Sequence, residues 1–487
     1  MELNNLALLT DFYEFTMMQG YIKAGKQNER AIFDLFYRTP PSGSGYAIVA
    51  GLAQVIEYIK NLQFRAEDIE HLRSLNRFDD DFLEYLKTFR FSGDMYAIEE
   101  GSVVFPNEPL LKINAPIIEA HLIESALLNI INHQSLIATK ASRIVYAAGD
   151  DPVLELGLRR AQGPNASIYG ARAAIIGGCS ATSNVLASKM FDIDVTGTHA
   201  HSWIMSFGDE LTAFRTYAEV FPNHCILLID TYNTLKSGLP NAIKVFKELK
   251  AKGAVFQKYG IRLDSGDLAY LSKVVRKELD EAGFSDAIIC ASNDLDEYSI
   301  QELKLQQAKI TLWGVGTNLI TSGDWPSFGA VYKIAAKINP DGEIVPKIKI
   351  SESPKKINNP GDKKIFRVYD KNTNKIKADL ITLVDEEIDL DSDLTLFHPV
   401  ETYKQMTLKK GQFYVKELLV QVFKNGECVY KPPTVKEIKE YSKAEKETLW
   451  DSSKRFKKPT KTPVDLSPKL LELKTQMIKS IYAKGDI

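Results

Sequence analysis

Short apolar runs alternate with amphipathic segments between residues 225 and 318. The runs are CILLID (225–230), GIRLDSG (260–266), DAIICASND (286–294) and ITLWGVGTN (310–318). Continuous apolar runs of this length are typical of strands buried on both faces. The segments between them have the periodicity of surface helices. Strand and helix alternate about every 30 residues, which predicts either a parallel sheet or an eight-fold α/β barrel.

The chain on either side of this region has a different pattern. Residues 1–135 mix helical stretches with strand-like pieces such as RAIFDLFYR (30–38). After a polar loop at 345–363, KIFRVYD, KADLITLVD and YVKELLVQVF have the pattern of antiparallel strands. We therefore predict an α/β fold class. An irregular, TIM-like α/β barrel spans 136–345, and a second α+β domain is built from both chain ends, 1–135 and 346–487.

Length, composition and charge limit the class of protein. The chain has 487 residues, more than one hydrophobic core normally supports, so at least two domains are expected. Its 61 basic and 63 acidic residues leave a net charge of −2. Such a balance provides no long-range field for nucleic acid or a membrane surface. An anionic substrate must therefore be held by local groups.

Neither export nor membrane insertion is predicted. The N-terminus has an acid at Glu2 and no basic start before an apolar stretch, so it does not resemble a secretory signal. No apolar run reaches the roughly 18 residues of a membrane span. The cysteines contain no CxxC pair that would suggest a zinc site or disulfide framework: Cys179, Cys225, Cys290 and Cys428. We expect a cytoplasmic protein.

Three aspartates lie where successive apolar strands end: Asp230, Asp264 and Asp294. Carboxylates at these positions converge on the C-terminal rim of a barrel, where barrel enzymes have their active sites. A single aspartate there is usually a helix N-cap or a turn residue. Three in series, with Arg262 on one of the strands, favour an active site.

WGVGTN (313–318) places Gly314 and Gly316 directly after a strand. Glycines there let backbone N–H groups approach a phosphate closely. Two glycines in such a turn often mean only a tight turn. Their place in the last βα unit, where barrels commonly bind phosphate, favours a phosphate site.

LELGLRRAQGP (154–164) places Arg159 and Arg160 after another predicted strand. Arginine binds carboxylates and phosphates bidentately. Adjacent arginines are usually a solvated pair on the surface. The apolar and glycine-rich residues on either side favour a binding role over that alternative here. We treat both as candidate substrate-binding residues.

VTGTHAHSWIMSF (195–207) contains His199 and His201. A metal pair is conceivable, but no Cys, Asp or Glu stands beside them at ligand spacing. A histidine after a Gly-Thr turn can instead serve as nucleophile or general base. Most isolated histidines are structural.

Seven motifs in this order resemble one family. They are LLTDFYEFTMMQGY (8–21), LRRAQGP (158–164), TSNVLAS (182–188), GTHAHS (197–202), LIDTYNT (228–234), RLDSGD (262–267) and WGVGTN (313–318). Together they closely resemble the nicotinate phosphoribosyltransferases, which are relatives of nicotinamide phosphoribosyltransferase. The resemblance covers essentially the whole chain, and GTxAHS and RLDSGD are its most specific motifs.

The resemblance implies an activity and its partners. Nicotinate and phosphoribosyl pyrophosphate give nicotinate mononucleotide and pyrophosphate, the first step of NAD salvage from nicotinic acid. ATP is a co-substrate, hydrolysed through a phosphohistidine, and Mg²⁺ is the cofactor, with no protein residue assigned as its direct ligand. The chain is expected to form a homodimer with shared active sites.

The resemblance also implies roles for individual residues. His201 matches the phosphohistidine, and His199 occupies a variable position. Tyr13 matches an aromatic residue that reaches across the dimer to stack on the pyridine ring. Arg159 matches the substrate-site arginine, with Arg160 beside it. The remaining matches concern the sugar phosphate: Arg262 and Asp264 for the phosphoribosyl group, Asp230 and Asp294 for ribose hydroxyls or magnesium-bound water, and Gly314, Gly316 and Thr317 for the 5′-phosphate.

Ser183 distinguishes the acid from the amide. The nicotinamide enzymes carry an aspartate at the matching position, which would repel a nicotinate carboxylate, whereas a serine hydroxyl donates to it. Two departures from the family pattern affect this region: Leu156 replaces a common Phe, and Cys179-Ser180-Ala181 replaces FDG. The alternatives are a nicotinamide or quinolinate phosphoribosyltransferase and a catalytically silent metabolite-binding relative.

Overall fold

The structure is a computed structural model that describes residues 5–253 and 257–483. The outermost residues of the two predicted terminal segments, 1–4 and 484–487, lie outside the described part. The chain divides into two compact units. The first combines Met1–Leu136 with Ser327–Ile487, and the second is Ile137–Pro326.

The strands are numbered in chain order over the described residues. They are β1 (Arg30–Tyr37), β2 (Ala47–Ile48), β3 (Asp94–Ile98), β4 (Val103–Val104), β5 (Leu111–Pro116), β6 (Val153–Glu155), β7 (Ala181–Thr182), β8 (His224–Leu228), β9 (Lys258–Leu263), β10 (Ile288–Ala291), β11 (Leu312–Val315), β12 (Ala330–Ile338), β13 (Ile344–Pro346), β14 (Lys363–Asp370), β15 (Ile376–Leu383), β16 (Leu394–Phe397), β17 (Gln405–Leu408), β18 (Phe413–Glu417), β19 (Leu419–Lys424), β20 (Glu427–Cys428) and β21 (Val464–Leu466).

The α-helices are numbered in the same way. They are α1 (Phe12–Lys23), α2 (Leu52–Asn61), α3 (Ala66–Ser74), α4 (Asp80–Lys87), α5 (Ile117–Leu122), α6 (Glu124–Ala148), α7 (Pro164–Gly177), α8 (Val185–Phe191), α9 (His201–Met205), α10 (Glu210–Val220), α11 (Leu239–Ala251), α12 (Leu268–Glu281), α13 (Glu297–Leu305), α14 (Thr317–Ile320), α15 (Val435–Glu447), α16 (Asp451–Lys454) and α17 (Pro468–Ala483). Shorter helical turns lie at Pro41–Gly43, Leu158–Arg160, Thr234–Gly238 and Pro354–Lys356.

The first unit contains two larger sheets that are mainly antiparallel. One has the order β13-β12-β1-β5-β3-β19-β20, with every described neighbouring pair antiparallel. The other has the order β17-β16-β21-β15-β14-β18, with β15 and β21 parallel. β1 lies inside the first sheet and is buried at seven of its eight positions, which explains its nearly continuous apolar sequence.

Residues 327–345 belong to this first unit rather than to the predicted barrel region. β12 pairs with β1 from Arg30↔Ile338 to Tyr37↔Ala330, so its backbone hydrogen bonds are made inside the antiparallel sheet. The predicted strand YVKELLVQVF also differs. It divides at Leu418 into β18, which pairs with β14, and β19, which pairs with β3 in the other sheet.

The second unit is built on a curled parallel sheet. Its strand order is β7-β6-β11-β10-β9-β8, and all described neighbouring pairs are parallel. The strands β8 to β11 are neighbours in chain order, and the last of them lies beside β6, the first strand of the unit. Because all six strands are parallel, their carboxyl ends lie at one edge of the sheet.

The sheet is open at one seam, between β7 and β8. Thr182 forms a parallel bridge with Val195, and the Leu228 N–H of β8 donates to His199 Nε2 at 3.3 Å. Among the described residues no backbone ladder joins β7 to β8, so a closed eight-fold barrel is not present. The intervening segment VTGTHA is too rich in polar residues and glycine to form a buried strand.

Candidate active site

The strand-end aspartates of the second unit are not helix caps. Another polar residue caps the next helical segment in each βα turn. The caps are Asn233 for Thr234–Gly238, Asp267 for α12 and Asp296 for α13, each accepting a backbone N–H through its side chain. The N-cap alternative is therefore wrong for Asp230, Asp264 and Asp294, whose carboxylates have other surroundings.

Asp230, directly beyond β8, joins three segments. Its Oδ1 lies 3.2 Å from His201 Nε2. Its Oδ2 accepts from the Asp264 backbone N–H at 3.0 Å and from Ser265 Oγ at 2.6 Å. The side chain of Asp230 is 1% exposed and that of His201 is 40% exposed. A buried carboxylate thus orients a solvent-accessible imidazole, an arrangement suited to holding one tautomer of a reactive histidine.

Arg262, on β9, joins three more segments. Its Nη2 donates to Asp264 Oδ1 at 2.9 Å, its Nε to Ser292 Oγ at 2.8 Å, and its Nη1 to Thr198 Oγ1 at 3.2 Å. Ser292 Oγ also donates to Asp264 Oδ1 in a short hydrogen bond. Since the side chain of Arg262 is 17% exposed and a guanidinium has five N–H groups, donors remain for an anion.

Asp294 lies beyond the end of β10 and has a positive φ of 43°. Its side chain makes no hydrogen bond with other described residues. Its backbone oxygen accepts from Asn318 Nδ2 at 2.9 Å. This contact ties the β10 end to the glycine turn that follows β11, so Asp294 lies beside that turn.

The prediction that both glycines follow the strand is correct for Gly316 and wrong for Gly314, which lies inside β11 and pairs with Leu154 of β6. A Cβ on Gly314 would lie 2.6 Å from Leu156 Cδ1, and one on Gly316 would lie 3.3 Å from the Leu156 backbone oxygen. A side chain at position 314 would therefore displace the end of the Leu156 side chain. Thr317 is the first residue of α14. The turn brings backbone N–H groups to the same edge as Asp264 and Asp294.

Arg159 and Arg160 lie in the helical turn after β6 and are exposed. No ion pair or hydrogen bond involves either guanidinium among the described residues. Ser183 follows β7 and is half-buried, with its N–H donating to the Glu155 backbone oxygen at 2.9 Å. Arg159 and Arg160 follow β6, and Ser183 follows β7. In the sheet β6 lies next to β11, and β7 lies next to β6.

The buried carboxylate of Glu155 fastens the two loops that carry these residues. Oε1 accepts from the Gly157 N–H, and Oε2 from Thr182 Oγ1, each at 2.5 Å. Burial raises the pKa of this carboxyl.

The sequence did not predict a role for four residues of this edge: Glu155, Thr198, Ser265 and Ser292. The only indication of Glu155 was an acidic residue inside an apolar strand.

The side chains of two other candidate residues make no hydrogen bond to this network among the described residues. His199 is buried against Tyr217, with ring centroids 4.7 Å apart, and burial lowers its pKa to about 4. It is a neutral structural histidine at the seam. Tyr13 belongs to the first unit, on α1, where its side chain is 48% exposed.

Models of one protein family match almost the whole chain. The nicotinate phosphoribosyltransferase (NAPRTase) N-terminal domain matches residues 8–132, the NAPRTase family 152–383, and the NAPRTase C-terminal domain 362–474. Among the described residues, no helix is both long and apolar enough to cross a lipid bilayer.

Individual relatives agree with these matches. The chain is 47% identical over 481 residues to a nicotinate phosphoribosyltransferase of Bacillus subtilis, covering 99% of this chain and 97% of that protein. It is 36% identical over 526 residues to one of Caenorhabditis elegans, covering 96% and 92%. The crystal structure of human nicotinic acid phosphoribosyltransferase superposes with a TM-score of 0.83 at 28% identity, covering 96% of this chain and 100% of that one.

The fold is that of the phosphoribosyltransferase class. Within it, the chain belongs to the nicotinate phosphoribosyltransferase family.

Proposed function

We propose that this protein is an enzyme that joins nicotinate to phosphoribosyl pyrophosphate, releasing nicotinate mononucleotide and pyrophosphate in the first step of NAD salvage from nicotinic acid. The observation that carries the proposal is the hydrogen-bonded series His201–Asp230–Asp264–Arg262 at the strand ends. It occurs in a chain that resembles nicotinate phosphoribosyltransferases over its whole length. On this proposal the curled sheet serves as an irregular, TIM-like barrel with one seam.

The phosphorylated sugar occupies the edge where β9, β10 and β11 end. Arg262 directs its remaining N–H groups at a phosphate. The 5′-phosphate lies against Gly314 at the end of β11 and the turn of Gly316 and Thr317, where backbone N–H groups provide donors without a side chain in the way. Asp264 and Asp294 face the ribose hydroxyls or magnesium-bound water, and Asp230 holds Asp264 in place.

The charges of this edge suit the transfer. As the bond from C1 of the ribose to pyrophosphate breaks, positive charge develops on the sugar and negative charge on the leaving group. Carboxylates fixed near the sugar stabilise the first, and Arg262 stabilises the second. The pyridine nitrogen is a weak nucleophile, so much of the rate comes from holding it in line with C1.

Mg²⁺ fits the oxygen groups on this edge. Neither Asp264 Oδ2 nor the Asp294 carboxylate is engaged in a hydrogen bond with other described residues, and carboxylate oxygen is the ligand type that Mg²⁺ prefers. Because Mg²⁺ retains several waters and binds substrate phosphates, these carboxylates would hold it through water. The ion supplies charge neutralisation for the leaving pyrophosphate.

ATP hydrolysis proceeds through His201. In the tautomer that donates Nε2–H to Asp230 Oδ1, the Nδ1 lone pair is the nucleophile. Nδ1 forms a bond to the γ-phosphorus while the bond from that phosphorus to the ADP oxygen breaks, giving ADP and phosphohistidine. Water later attacks the phosphorus and releases phosphate. Asp230 stabilises the positive charge on the ring during the transfer.

The pyridine carboxylate is recognised by Ser183, Arg159 and Arg160. The arginines supply positive charge from one loop and the serine hydroxyl a donor from the next, and Glu155 fastens both loops. Tyr13 of a partner subunit stacks on the pyridine ring in a homodimer with shared active sites. An aspartate at position 183 would favour an amide instead, so Ser183 disfavours nicotinamide, the second candidate substrate.

Pyrophosphate release tests the proposed substrate. Purified protein with phosphoribosyl pyrophosphate, Mg²⁺ and ATP should release pyrophosphate with nicotinate and at least tenfold more slowly with nicotinamide. Ser183→Asp should narrow this difference, because its carboxylate repels the acid, whereas Ser183→Ala should slow the nicotinate reaction alone. Equal turnover of both pyridines by the wild type would contradict the assignment to nicotinate. Absence of turnover with either would favour a catalytically silent metabolite-binding relative.

His201→Ala tests the role of the histidine. The variant should lose ATP hydrolysis and ATP stimulation while retaining some ATP-independent transfer, since the sugar site is intact. His224→Ala, which removes an exposed histidine from β8, is the matched control and should hydrolyse ATP normally. Normal ATP hydrolysis by His201→Ala would show that the phosphohistidine assignment is wrong.

A further inference from the structure

Three potential metal ligands converge inside the first unit. Glu14 comes from α1, His121 from α5 and Glu124 from the start of α6. One ligand atom of each lies within 4.8 Å of the other two. His121 Nδ1 is 3.6 Å from Glu14 Oε2 and 4.0 Å from Glu124 Oε2. In a tetrahedral site with ligands at about 2.1 Å, neighbouring ligand atoms are about 3.4 Å apart, so small side-chain movements would close the cluster around an ion.

Burial makes this cluster unusual. The side chain of Glu14 is 0% exposed. Neither of its oxygens has a partner within hydrogen-bond geometry, although burial and, after it, the nearby Glu14 carboxylate raise the pKa of the Tyr13 hydroxyl. His121 Nδ1 also has no hydrogen-bond partner. A buried carboxylate without a partner is strongly unfavourable unless a cation or a proton compensates its charge. The two Glu14 oxygens and His121 Nδ1 are therefore potential metal ligands without a hydrogen-bond donor among the described residues.

No described lysine or arginine compensates the charge of these carboxylates through an ion pair. Among the described residues, neither Glu14 nor Glu124 forms an ion pair with a lysine or arginine. Lys333 is a neighbouring cation, but its Nζ donates to the Tyr332 backbone oxygen at 2.6 Å. The negative charge of the cluster is thus poorly compensated by the protein itself.

His121 is oriented as a ligand would be. Its Nε2 lies 3.3 Å from the hydroxyl of Tyr21. Its ring stacks on Tyr21 at a centroid distance of 5.6 Å and packs against the edge of Phe33 at 5.0 Å. A metal-bound histidine normally holds its other ring nitrogen in such a hydrogen bond, which fixes the direction of the coordinating atom. Here that atom is Nδ1, facing the two carboxylates.

We propose that Glu14, His121 and Glu124 bind a divalent transition-metal cation such as Zn²⁺ or Mn²⁺. One imidazole with two carboxylates is a donor set that both ions accept. Three protein ligands leave a position for water, and the bound ion would tie α1 to the α5–α6 segment. This inference does not depend on the proposed transferase activity, and the Mg²⁺ of that reaction belongs to the other unit.

Cobalt binding tests the proposal. Co²⁺ titrated into metal-free, full-length protein should produce visible absorption that saturates at one ion per chain and disappears when Zn²⁺ displaces it. Glu124→Gln and His121→Phe should each weaken Co²⁺ binding at least tenfold. Tyr21→Phe keeps all three ligands and should weaken it about tenfold, the effect expected of a partner that orients a ligand.

Matched variants separate this site from other groups. His71→Gln removes an exposed histidine of α3 and should bind Co²⁺ like the wild type, as should Asp264→Asn in the second unit. If Co²⁺ does not bind stoichiometrically, the cluster is neutralised by a proton and the proposal is overturned. The proposal is also overturned if Glu124→Gln and Tyr21→Phe bind Co²⁺ as tightly as the wild type. This outcome can be read even if His121→Phe fails to fold. Neither result would affect pyrophosphate release from nicotinate and phosphoribosyl pyrophosphate.

Discussion

At the scale of single residues, Ser292 links the two charged groups of the proposed sugar-phosphate site. Its hydroxyl accepts from Arg262 Nε and donates to Asp264 Oδ1, so it fixes the guanidinium and the carboxylate relative to each other. Because the Ser292 side chain is buried, water cannot easily replace it. Ser292 is therefore a positioning residue for Arg262 and Asp264.

Ser292→Ala should lower kcat/KM for phosphoribosyl pyrophosphate about tenfold to a hundredfold. The expected cause is that the guanidinium and carboxylate no longer hold the geometry on which preorganised charge depends. The unfolding free energy should also fall by about 1–3 kcal/mol, the usual cost of unpaired buried polar groups. Steady-state kinetics and urea unfolding measure the two effects.

Ser272→Ala provides the matched control. Ser272 is also buried, in α12, and its hydroxyl donates to the Ala269 oxygen and accepts from the Lys309 N–H. Its loss should reduce stability by a similar amount and leave kcat/KM unchanged. If both variants have the same kinetics, Ser292 does not position the site.

The charged residues of this site could be predicted from sequence, but the hydroxyls that join them could not. Arg262 and Asp264 are conspicuous because they interrupt an apolar strand end. Ser292 and Thr198 carry no comparable signal, since small hydroxyl residues are common in turns. Which of them reaches a guanidinium depends on contacts between strands that are distant in sequence.

At the scale of secondary-structure elements, the seam between β7 and β8 depends on a histidine ring. The Leu228 N–H at the edge of β8 donates to His199 Nε2, in place of the backbone oxygen that a further strand would supply. The ring must be neutral to accept this hydrogen bond. Burial lowers the pKa of His199 to about 4, which is consistent with a neutral ring near neutral pH.

The seam should therefore make stability depend on pH. His199 in the unfolded chain takes up a proton near pH 6.5, whereas the folded protein resists protonation until about pH 4. The unfolding free energy should thus fall as the pH is lowered from 6.5 towards 4. At pH 5 the contribution of His199 is about 2 kcal/mol less favourable than at pH 7.5.

His199→Gln isolates this contribution, because glutamine keeps an acceptor for the Leu228 N–H and does not titrate. Urea unfolding of both proteins at pH 7.5 and pH 5 should show the larger loss in the wild type. Parallel loss of stability in the two proteins would contradict the role assigned to His199.

Element positions were predictable where the pattern was local. The apolar runs before Asp230, Asp264 and Gly316 mark β8, β9 and β11 because buried parallel strands must be apolar on both faces. The assignment of β12 to the first unit was not predictable, since its pairing with β1 spans about 300 residues of chain. Nor was the open seam, which results from a polar segment where a closed barrel would need a strand.

At the scale of the whole molecule, the proposed reaction draws on both units of the chain. The linked residues from His201 to Arg262 all lie in Ile137–Pro326, whereas Tyr13 lies on α1 of the first unit. The proposed homodimer supplies Tyr13 to the active site of the partner subunit. Under that arrangement neither subunit alone has a complete site.

Mixing two inactive variants tests the shared site. Tyr13→Ala and Asp264→Asn should each have little activity as homodimers, because each lacks one part of every site. Random re-association makes about half of the dimers mixed, and each mixed dimer contains one intact site. Activity should recover to about a quarter of the wild-type value, measured as pyrophosphate release.

The same two variants, mixed without dissociation and re-association, provide the control and should remain inactive. If re-association also gives no recovery, then Tyr13 and Asp264 serve the same subunit or Tyr13 has no part in the site.

The two-unit organisation was partly visible in the sequence. The change from alternating strands and helices to strand-like segments beyond residue 345 indicated a second domain that returns to the N-terminal part. The boundary was misplaced because β12 is apolar like the strands before it. Only its antiparallel pairing identifies the unit to which it belongs.

A crystal structure with phosphoribosyl pyrophosphate and Mg²⁺ is the most direct measurement of the central claim, that the strand ends of the second unit form one sugar-phosphate site. A phosphate group should accept hydrogen bonds from Arg262, and the 5′-phosphate should contact the end of β11 and the turn after it, from Gly314 to Thr317, with the ribose beside Asp264. A ligand bound away from these strand ends, with Arg262 and Asp264 paired only to each other, would contradict the account.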